Sequence, residues 1–412
     1  MVDFLKYELK NGLKLIFHKD ISTPMAAINI LYQVGARNED EDKTGYAHLF
    51  EHLMFSGSKH IPEFDEPLQM VGGEDNAFTT NDLTNYHIVL PKDNIETAFW
   101  LESDRMLELA FTKKGLDVQK NVVIEEFKER YLNQPYGDVW LHFRPLAYTV
   151  HPYKWATIGK DIAQIEKATI KDLKDFFYSH YAPNNAIMAV TGNFEFPEVI
   201  GLVEKWFGDI PTRPIKTSDI PLEPAQTAMR TLTLTRDVPY DAIYIGYHMC
   251  NRLHDDYYVF DLLSDVLSNG NSARLYQRLV KEQNLFTDLD AYISGDFDEG
   301  LFVISGKLVE GVTMADAENA IYEQLRIISD DEISEYELEK VKNKVEANYV
   351  FSEMNGLNKA INLCYYEWLG DANLINTEIE RYRVVTANQI KTAAKHTFVP
   401  QNASVLYYYA AK

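Results

Sequence analysis

Apolar and polar positions follow two different periods along this chain, and these periods divide it into strands and helices. Segments with apolar runs or alternation predict strands at 26–34, 84–90, 186–191, 242–248, 300–307 and 403–409. Segments with apolar residues every three or four positions predict helices at 45–55, 95–109, 116–132, 169–179, 257–267, 314–328, 332–355 and 386–397. The amino-terminal pattern also predicts a hairpin that turns at Asn11-Gly12. This mixture of elements is typical of an α+β protein.

The pattern occurs twice, which indicates two homologous domains. The stretch TIKDLKDFFYSHYAPNNAIMAV begins at Thr169, and the similar stretch TANQIKTAAKHTFVPQNASVLY begins at Thr386. In each, a threonine N-cap opens a helix, a proline follows 14 positions later, and an asparagine stands two positions after that proline. We therefore expect two copies of one α+β unit, each a mostly antiparallel sheet packed with helices.

Prolines mark the middle of the chain. Four of them lie in the stretch PTRPIKTSDIPLEP, at Pro211, Pro214, Pro221 and Pro224. Such spacing favours a stiff, extended connector. The expected organisation is a first domain at 1–210 with the candidate metal site, a linker at 211–225, and a homologous domain at 226–412 that lacks the metal motif.

Charge and hydropathy exclude two classes of partner. The 412 residues include 62 acidic and 40 basic ones, for a net charge of −22, whereas binding to a phosphate backbone requires clustered lysine and arginine. No run of about 18 apolar residues is present, so we expect neither a nucleic-acid nor a membrane partner. Cys250 and Cys364 form no CxxC pair, and the amino terminus has no apolar leader, so we expect reduced thiols and a cytoplasmic location.

The stretch AHLFEHLMFSG (47–57) carries the candidate chemistry. At 100° per residue, His48, Glu51 and His52 fall on one side of a helix. Histidines at i and i+4 lie about 6 Å apart, which lets both rings reach one metal ion, and the glutamate is placed to act as a base. On these residues alone, ordinary histidines and a lysine-paired glutamate explain the pattern equally well. The other side of the helix is apolar: Leu49, Phe50, Leu53 and Met54.

A catalytic zinc site usually has three protein ligands, so a third must come from elsewhere. The predicted helix LDVQKNVVIEEFKERY contains Glu125, Glu126 and Glu129. Its expected apolar face consists of Val122, Val123 and Phe127, which would turn one of the acids inward. The residues alone leave both Glu125 and Glu126 open.

The stretch HLFEH matches the inverted zinc motif H-x-x-E-H. With the later VVIEE helix, the chain resembles the pitrilysin family, which includes insulin-degrading enzymes and mitochondrial processing peptidases. The resemblance extends over nearly the whole chain. It implies one zinc ion per chain bound by His48, His52 and Glu126, with Glu125 as the second choice. It also implies that Glu51 is the general base that acts on zinc-bound water.

Two further stretches resemble the family. GGEDNAFTTNDLTNYH (72–87) resembles the strand along which the family pairs its peptide substrate, which implies that Asn76, Ala77 and Phe78 border the scissile bond. In LSNGNSARLYQRL, Arg274 and Tyr276 match an arginine and a tyrosine that face the zinc site and assist the oxyanion. Gln119 stands where the family often has a glutamate near the third ligand.

The resemblance implies a zinc endopeptidase that cuts peptides or unfolded segments inside an enclosed chamber. Long family members hold four such domains, whereas this chain has the length for two. Pairing of two chains is therefore expected, as a homodimer, with a heterodimer containing a related subunit as the alternative. A different function, that of a non-catalytic scaffold or partner subunit with the same fold, would be marked by loss of the metal-binding residues, and they are intact here.

Overall fold

A computed structural model of the chain describes residues 1–217 and 219–411, which form two compact units. The first unit contains Met1–Glu129, Trp155–Ile220 and Val350–Thr377. The second contains Arg130–Lys154, Pro221–Tyr349 and Glu378–Lys412. Each unit therefore contains residues from before and after the 211–225 segment. The division into continuous domains at 1–210 and 226–412 stays a prediction.

Every predicted helix is present, with ends shifted by a few residues. The pattern did not predict several other helices. A continuous helix was expected at 116–132, but α4 ends at Phe127 and a π-helical turn follows at Lys128–Leu132. No described helix combines the length and the apolar content that crossing a membrane requires. The helices are α1 (Tyr46–Leu53), α2 (Asp65–Met70), α3 (Ile95–Leu107), α4 (Lys113–Phe127), α5 (Val139–Ala147), α6 (Ile162–Glu166), α7 (Ile170–His180), α8 (Phe196–Phe207), α9 (Tyr257–Ser268), α10 (Met314–Asp330), α11 (Glu335–Ser352), α12 (Gly356–Trp368), α13 (Leu374–Arg383) and α14 (Ala387–Thr397).

The strands form one sheet in each unit. The first sheet has the order β1-β2-β6-β3-β5-β4 and the second has the order β7-β11-β8-β10-β9. Only β2 with β6 and β7 with β11 run parallel among these neighbours, so the predicted α+β class with mostly antiparallel sheets is confirmed. The strands are β1 (Leu5–Glu8), β2 (Lys14–Lys19), β3 (Met25–Tyr32), β4 (Glu74–Thr79), β5 (Thr84–Pro91), β6 (Ala186–Gly192), β7 (Arg230–Arg236), β8 (Ala242–His248), β9 (Phe286–Ile293), β10 (Leu301–Leu308) and β11 (Ala403–Ala410).

The two units repeat one topology, as the sequence predicted. Without β1, the order β2-β6-β3-β5-β4 matches β7-β11-β8-β10-β9 strand for strand. Thr169 and Thr386 each cap a helix with the predicted side-chain hydrogen bond, α7 in the first unit and α14 in the second. Asn185 and Asn402 each donate from Nδ2 to the carbonyl five residues earlier, at 2.8 Å and 3.1 Å. The duplication thus extends to individual hydrogen bonds.

Helix α12, late in the chain, completes the core of the first unit. It packs on β3 and β6 and buries Leu363 and Cys364 against Leu31 and Ile187. The Cys364 thiol lies 3.4 Å from the Ile187 carbonyl oxygen. Burial raises the pKa of this thiol to about 12, and both it and Cys250 are free thiols.

The proline-containing segment is bound at both ends. Near its start, the Arg213 guanidinium lies over the Phe177 ring at 4.6 Å and donates from Nη2 to the Leu107 carbonyl at 2.6 Å, all within the first unit. Near its end, the Glu223 carboxylate accepts three backbone N–H bonds of 2.8–2.9 Å from residues 149–151, all within the second unit. Each end is therefore held by its own unit.

Candidate metal centre

Helix α1 begins at a site that requires glycine. Gly45 has φ +85°, and a Cβ there would lie 2.5 Å from the Ile158 carbonyl oxygen. No side chain at this N-cap satisfies the first amides. Glu39 does so instead, accepting from the Gly45 N–H at 2.9 Å and from the Ala47 N–H at 2.7 Å. Burial raises the pKa of Glu39 to about 8, although both amide bonds oppose that shift. Glu39 was not predicted from the sequence, where the one local signal is the absence of Ser, Thr, Asp or Asn at the cap position.

The rotation of α1 about its axis is set by aromatic packing. Leu49 and Phe50 are fully buried, and the Phe50 ring stacks on Tyr181 with ring centroids 5.1 Å apart. This packing directs His48 and His52 to the other side of the helix, where their ring centroids are 4.8 Å apart. The apolar face predicted for this stretch is therefore what orients the two histidines.

Helix α4 separates the two candidate acids. The Glu126 side chain is 17% exposed, whereas Glu125 is 71% exposed and accepts a hydrogen bond from Lys128 Nζ at 2.7 Å. Val123 is buried as expected, but Val122 is 44% exposed, so the predicted apolar face was wrong at that position. The buried side of α4 is formed by Leu116, Val123, Ile124 and Phe127. Glu126 lies beside this face, and Glu125 points to solvent.

The structure brings His48, His52 and Glu126 together. The His52 Nε2 lies 3.2 Å from Glu126 Oε2, and the His48 Nε2 lies 3.7 Å from Glu126 Oε1. One ligand atom from each residue lies within 4.8 Å of the others. Tetrahedral zinc with bonds of about 2.1 Å holds its ligand atoms about 3.4 Å apart. Two imidazoles and a carboxylate at these spacings fit zinc, and three protein ligands leave a fourth position open.

Glu51 lies on α1, the helix that carries His48 and His52, and it contacts strand β4. The Thr79 hydroxyl donates to Glu51 Oε2 at 2.5 Å. β4 pairs with β5 and forms the end of the first sheet, and its residues alternate between exposed and half-buried. Asn76 and Phe78 are on its exposed face, while Ala77 and Thr79 are on its half-buried face. The sequence predicts roles for Asn76, Ala77 and Phe78 but not for Thr79, which directly follows them.

Gln119, which stands where the family often has a glutamate near the third ligand, makes its hydrogen bond to the segment after α1. Its Nε2 donates to the Ser56 hydroxyl at 2.7 Å, and Ser56 lies three residues beyond the end of α1. This bond ties α4 to the segment that leaves α1. Gln119 therefore supports the spacing between the two helices that carry the candidate ligands.

Arg274 and Tyr276 lie in the second unit and are not members of the histidine–glutamate cluster. Arg274 donates from Nε and Nη2 to the two carboxylate oxygens of Glu337, at 2.8 Å and 3.0 Å. These bonds lower the pKa of Glu337 to about 2. Tyr276 opens a π-helical turn, Tyr276–Glu282, and Lys281 Nζ lies 5.6 Å from its ring centroid.

Comparison with known proteins supplies the family. Residues 14–141 match the model of insulinase, peptidase family M16, and residues 167–345 match the model of the M16 inactive domain. The zinc protease PqqE of Helicobacter pylori is 31% identical over 348 residues, which cover 83% of this chain and 78% of that protein. The chain belongs to the M16 peptidase family. The predicted resemblance to pitrilysin and its relatives is thereby confirmed.

Two solved structures share the fold over nearly the whole chain. A protease from Helicobacter pylori superposes with a TM-score of 0.93 at 27% identity, covering 99% of this chain and 100% of that one. Pitrilysin superposes with a TM-score of 0.81 at 18% identity, covering 99% of this chain but 45% of its own. This M16 chain therefore corresponds to about half of the pitrilysin chain in length.

Proposed function

We propose that this M16 chain is a zinc-dependent endopeptidase that hydrolyses peptides or unfolded segments. The observation that carries the proposal is the cluster of His48, His52 and Glu126, whose ligand atoms lie within 4.8 Å of one another. Glu51 lies on α1 together with the two histidines. A relative named as a zinc protease supports it. One zinc ion per chain is the cofactor that this donor set would bind.

His48, His52 and Glu126 would hold the zinc ion, which when bound would supply a Lewis acid for the scissile carbonyl and would lower the pKa of water there from 15.7 to about 7. Glu51 accepts the proton of the attacking water and returns it to the leaving amine. The substrate pairs as an additional strand along β4, so that Asn76, Ala77 and Phe78 border the scissile bond. The position of β4 at the end of the sheet supports this part of the proposal.

Family resemblance supports Arg274 and Tyr276 as donors to the developing oxyanion and to the substrate. The greater length of pitrilysin supports pairing of two of these chains around an enclosed chamber, as a homodimer or with a related subunit. We also propose a cytoplasmic location, which the two free thiols support. The mass of the intact assembly and cell fractionation test these two points.

The central test uses matched variants at the site. Glu51→Gln should retain about one zinc ion per chain and lose cleavage of a mixed peptide library by more than about 100-fold, because general-base catalysis contributes at least that much. His48→Ala should lose both zinc and cleavage. Glu63→Gln, an exposed substitution of the same kind, serves as the control and should leave both unchanged. Full peptidase activity in Glu51→Gln would refute the assigned base.

The alternative is a non-catalytic subunit of the same fold. It predicts that the purified protein neither retains zinc nor cleaves any library peptide, with or without added metal. Mass spectrometry of the digested library decides between the two, since cut sites that disappear on chelation are expected only of the peptidase. The same spectra give the cleavage preference.

A further inference from the structure

Thr79 is the residue of β4 that reaches the helix carrying the candidate base. Its hydroxyl donates to Glu51 Oε2 at 2.5 Å, across 28 positions of sequence. We infer that Thr79 positions the Glu51 carboxylate for proton transfer, so that the strand proposed to hold the peptide also fixes the base. This inference rests on the proposed peptidase function and deepens it.

The donor is itself rigidly held. Thr79 is the last residue of β4 and pairs with Thr84 of β5. Thr84 is fully buried, and its hydroxyl donates to the Val34 carbonyl at 2.8 Å. A β-branched side chain in a strand has few χ1 rotamers, so the direction of the Thr79 hydroxyl is set by the sheet. The sheet therefore presents a fixed donor to the helix.

The acceptor is a flexible side chain. Glu39 and the aromatic packing fix the backbone of α1, but a glutamate side chain has three further torsions. A carboxylate has about four acceptor positions on two oxygens, so the bond from Thr79 restrains Oε2 without using up the positions that take a proton. Misplacing a catalytic group by about 1 Å can reduce the rate about 100-fold, which is the scale on which this contact should act.

The location of Thr79 links substrate binding to the base. Thr79 directly follows Asn76, Ala77 and Phe78, the residues proposed to border the scissile bond. A peptide paired along β4 and a base held from β4 share one rigid support. Thr79 is thus a positioning residue, since it acts through Glu51 and not on the substrate.

The test compares Thr79→Val with Thr79→Ser in the full-length, zinc-loaded protein. Valine keeps the shape and the β-branch but removes the hydroxyl, so kcat should fall about 100-fold while KM and zinc content stay within about twofold. Serine restores the hydroxyl and should return kcat to within about threefold of the parent. Thr233→Val, an exposed threonine on a strand of the second unit, is the control and should change nothing. Unchanged kcat in Thr79→Val, or a rise in KM alone, would overturn the inference.

A structural readout separates this inference from the proposed function. If the zinc-loaded parent protein cleaves no peptide, the proposed function fails, and crystal structures of the zinc-loaded parent and Thr79→Val proteins decide the positioning role. Displacement of the Glu51 carboxylate in Thr79→Val would support that role. An identical Glu51 conformation in both crystals would overturn it, whatever the activity.

Discussion

Arg274 and Glu337 form a bidentate ion pair in the second unit. The guanidinium uses Nε and Nη2 for Glu337, which places Nη1 outside the pair. Glu337 also accepts from the Ser334 hydroxyl and backbone at the start of α11, at 2.9 Å and 3.1 Å. Glu337, the third residue of α11, therefore both accepts the hydrogen bonds of Ser334 at the start of that helix and orients the arginine. Arg274→Met and Glu337→Gln should be coupled in stability and should differ in their effects on catalysis.

The size of the coupling follows from the burial of the pair. The two side chains are 21% and 25% exposed, so the pair lies between a surface ion pair, worth 0–1 kcal/mol, and a hydrogen bond to a buried charge, worth about 1.5–3 kcal/mol. We expect a coupling energy of about 1.5 kcal/mol at pH 7. The ordinary pKa of Glu337, 4.5, falls to about 2 in the folded protein. The stabilisation is therefore fully present above about pH 4.5 and is lost as the pH falls toward 2.

The assay is a double-mutant cycle. Urea unfolding of the parent, both single variants and the double variant gives the coupling energy. Peptide cleavage should fall about 100-fold in Arg274→Met, the scale for loss of an oxyanion donor, and about tenfold in Glu337→Gln, which leaves the arginine unoriented. Arg326 and Glu323, an exposed pair with the same bidentate geometry on α10, provide the control cycle and should show no measurable coupling. A coupling below about 0.5 kcal/mol for Arg274 and Glu337 would refute the reasoning.

Three further outcomes are expected. Glu126→Gln should weaken zinc binding about 1000-fold, since a ligand is lost and not merely a supporting contact of 10–100-fold, while Glu125→Gln should leave zinc content after dialysis unchanged. Glu39→Ala should lower the free energy of unfolding by about 3 kcal/mol, because two buried amides lose their acceptor; an unchanged calorimetric melting temperature would contradict this. Burial by itself would raise the pKa of Glu223, but the three amide hydrogen bonds outweigh this effect, so the net pKa is lowered. The ionised Glu223 therefore stabilises the folded protein at neutral pH, and this contribution is lost on acidification. Glu223→Gln should therefore flatten the acid side of the stability profile, and identical profiles would argue against it.

Local sequence patterns predicted much of the fold. The threonine N-caps at Thr169 and Thr386 were predictable because a cap depends on a few neighbouring residues. The repeated topology followed from them, since similar local patterns occur twice at the same spacing. The pairing of His48 with His52 was predictable for the same reason, because helix geometry alone brings i and i+4 to one face.

Contacts between distant segments could not be read in this way. Nothing near Glu125 or Glu126 indicates which acid turns inward, since this depends on how α4 packs against α1. The Thr79–Glu51 bond depends on the register of β4 and the rotation of α1 together. Glu39 was missed because an acceptor that lies six residues before the N-cap Gly45 leaves no pattern at the helix itself. These contacts arise from tertiary packing, which overrides local preference.

The late position of α12 has a consequence for the order in which the protein becomes complete. Its Leu363 and Cys364 cover the first sheet beside Leu31, yet they follow the rest of the first unit by well over a hundred residues. At 5–20 residues per second, translation from residue 220 to residue 377 takes roughly 8–30 s. During that interval an apolar sheet face is uncovered on the nascent chain. A fragment that ends before α12 would keep the metal-binding helices but expose this face permanently, so aggregation, not activity, is the expected property of a severed first half.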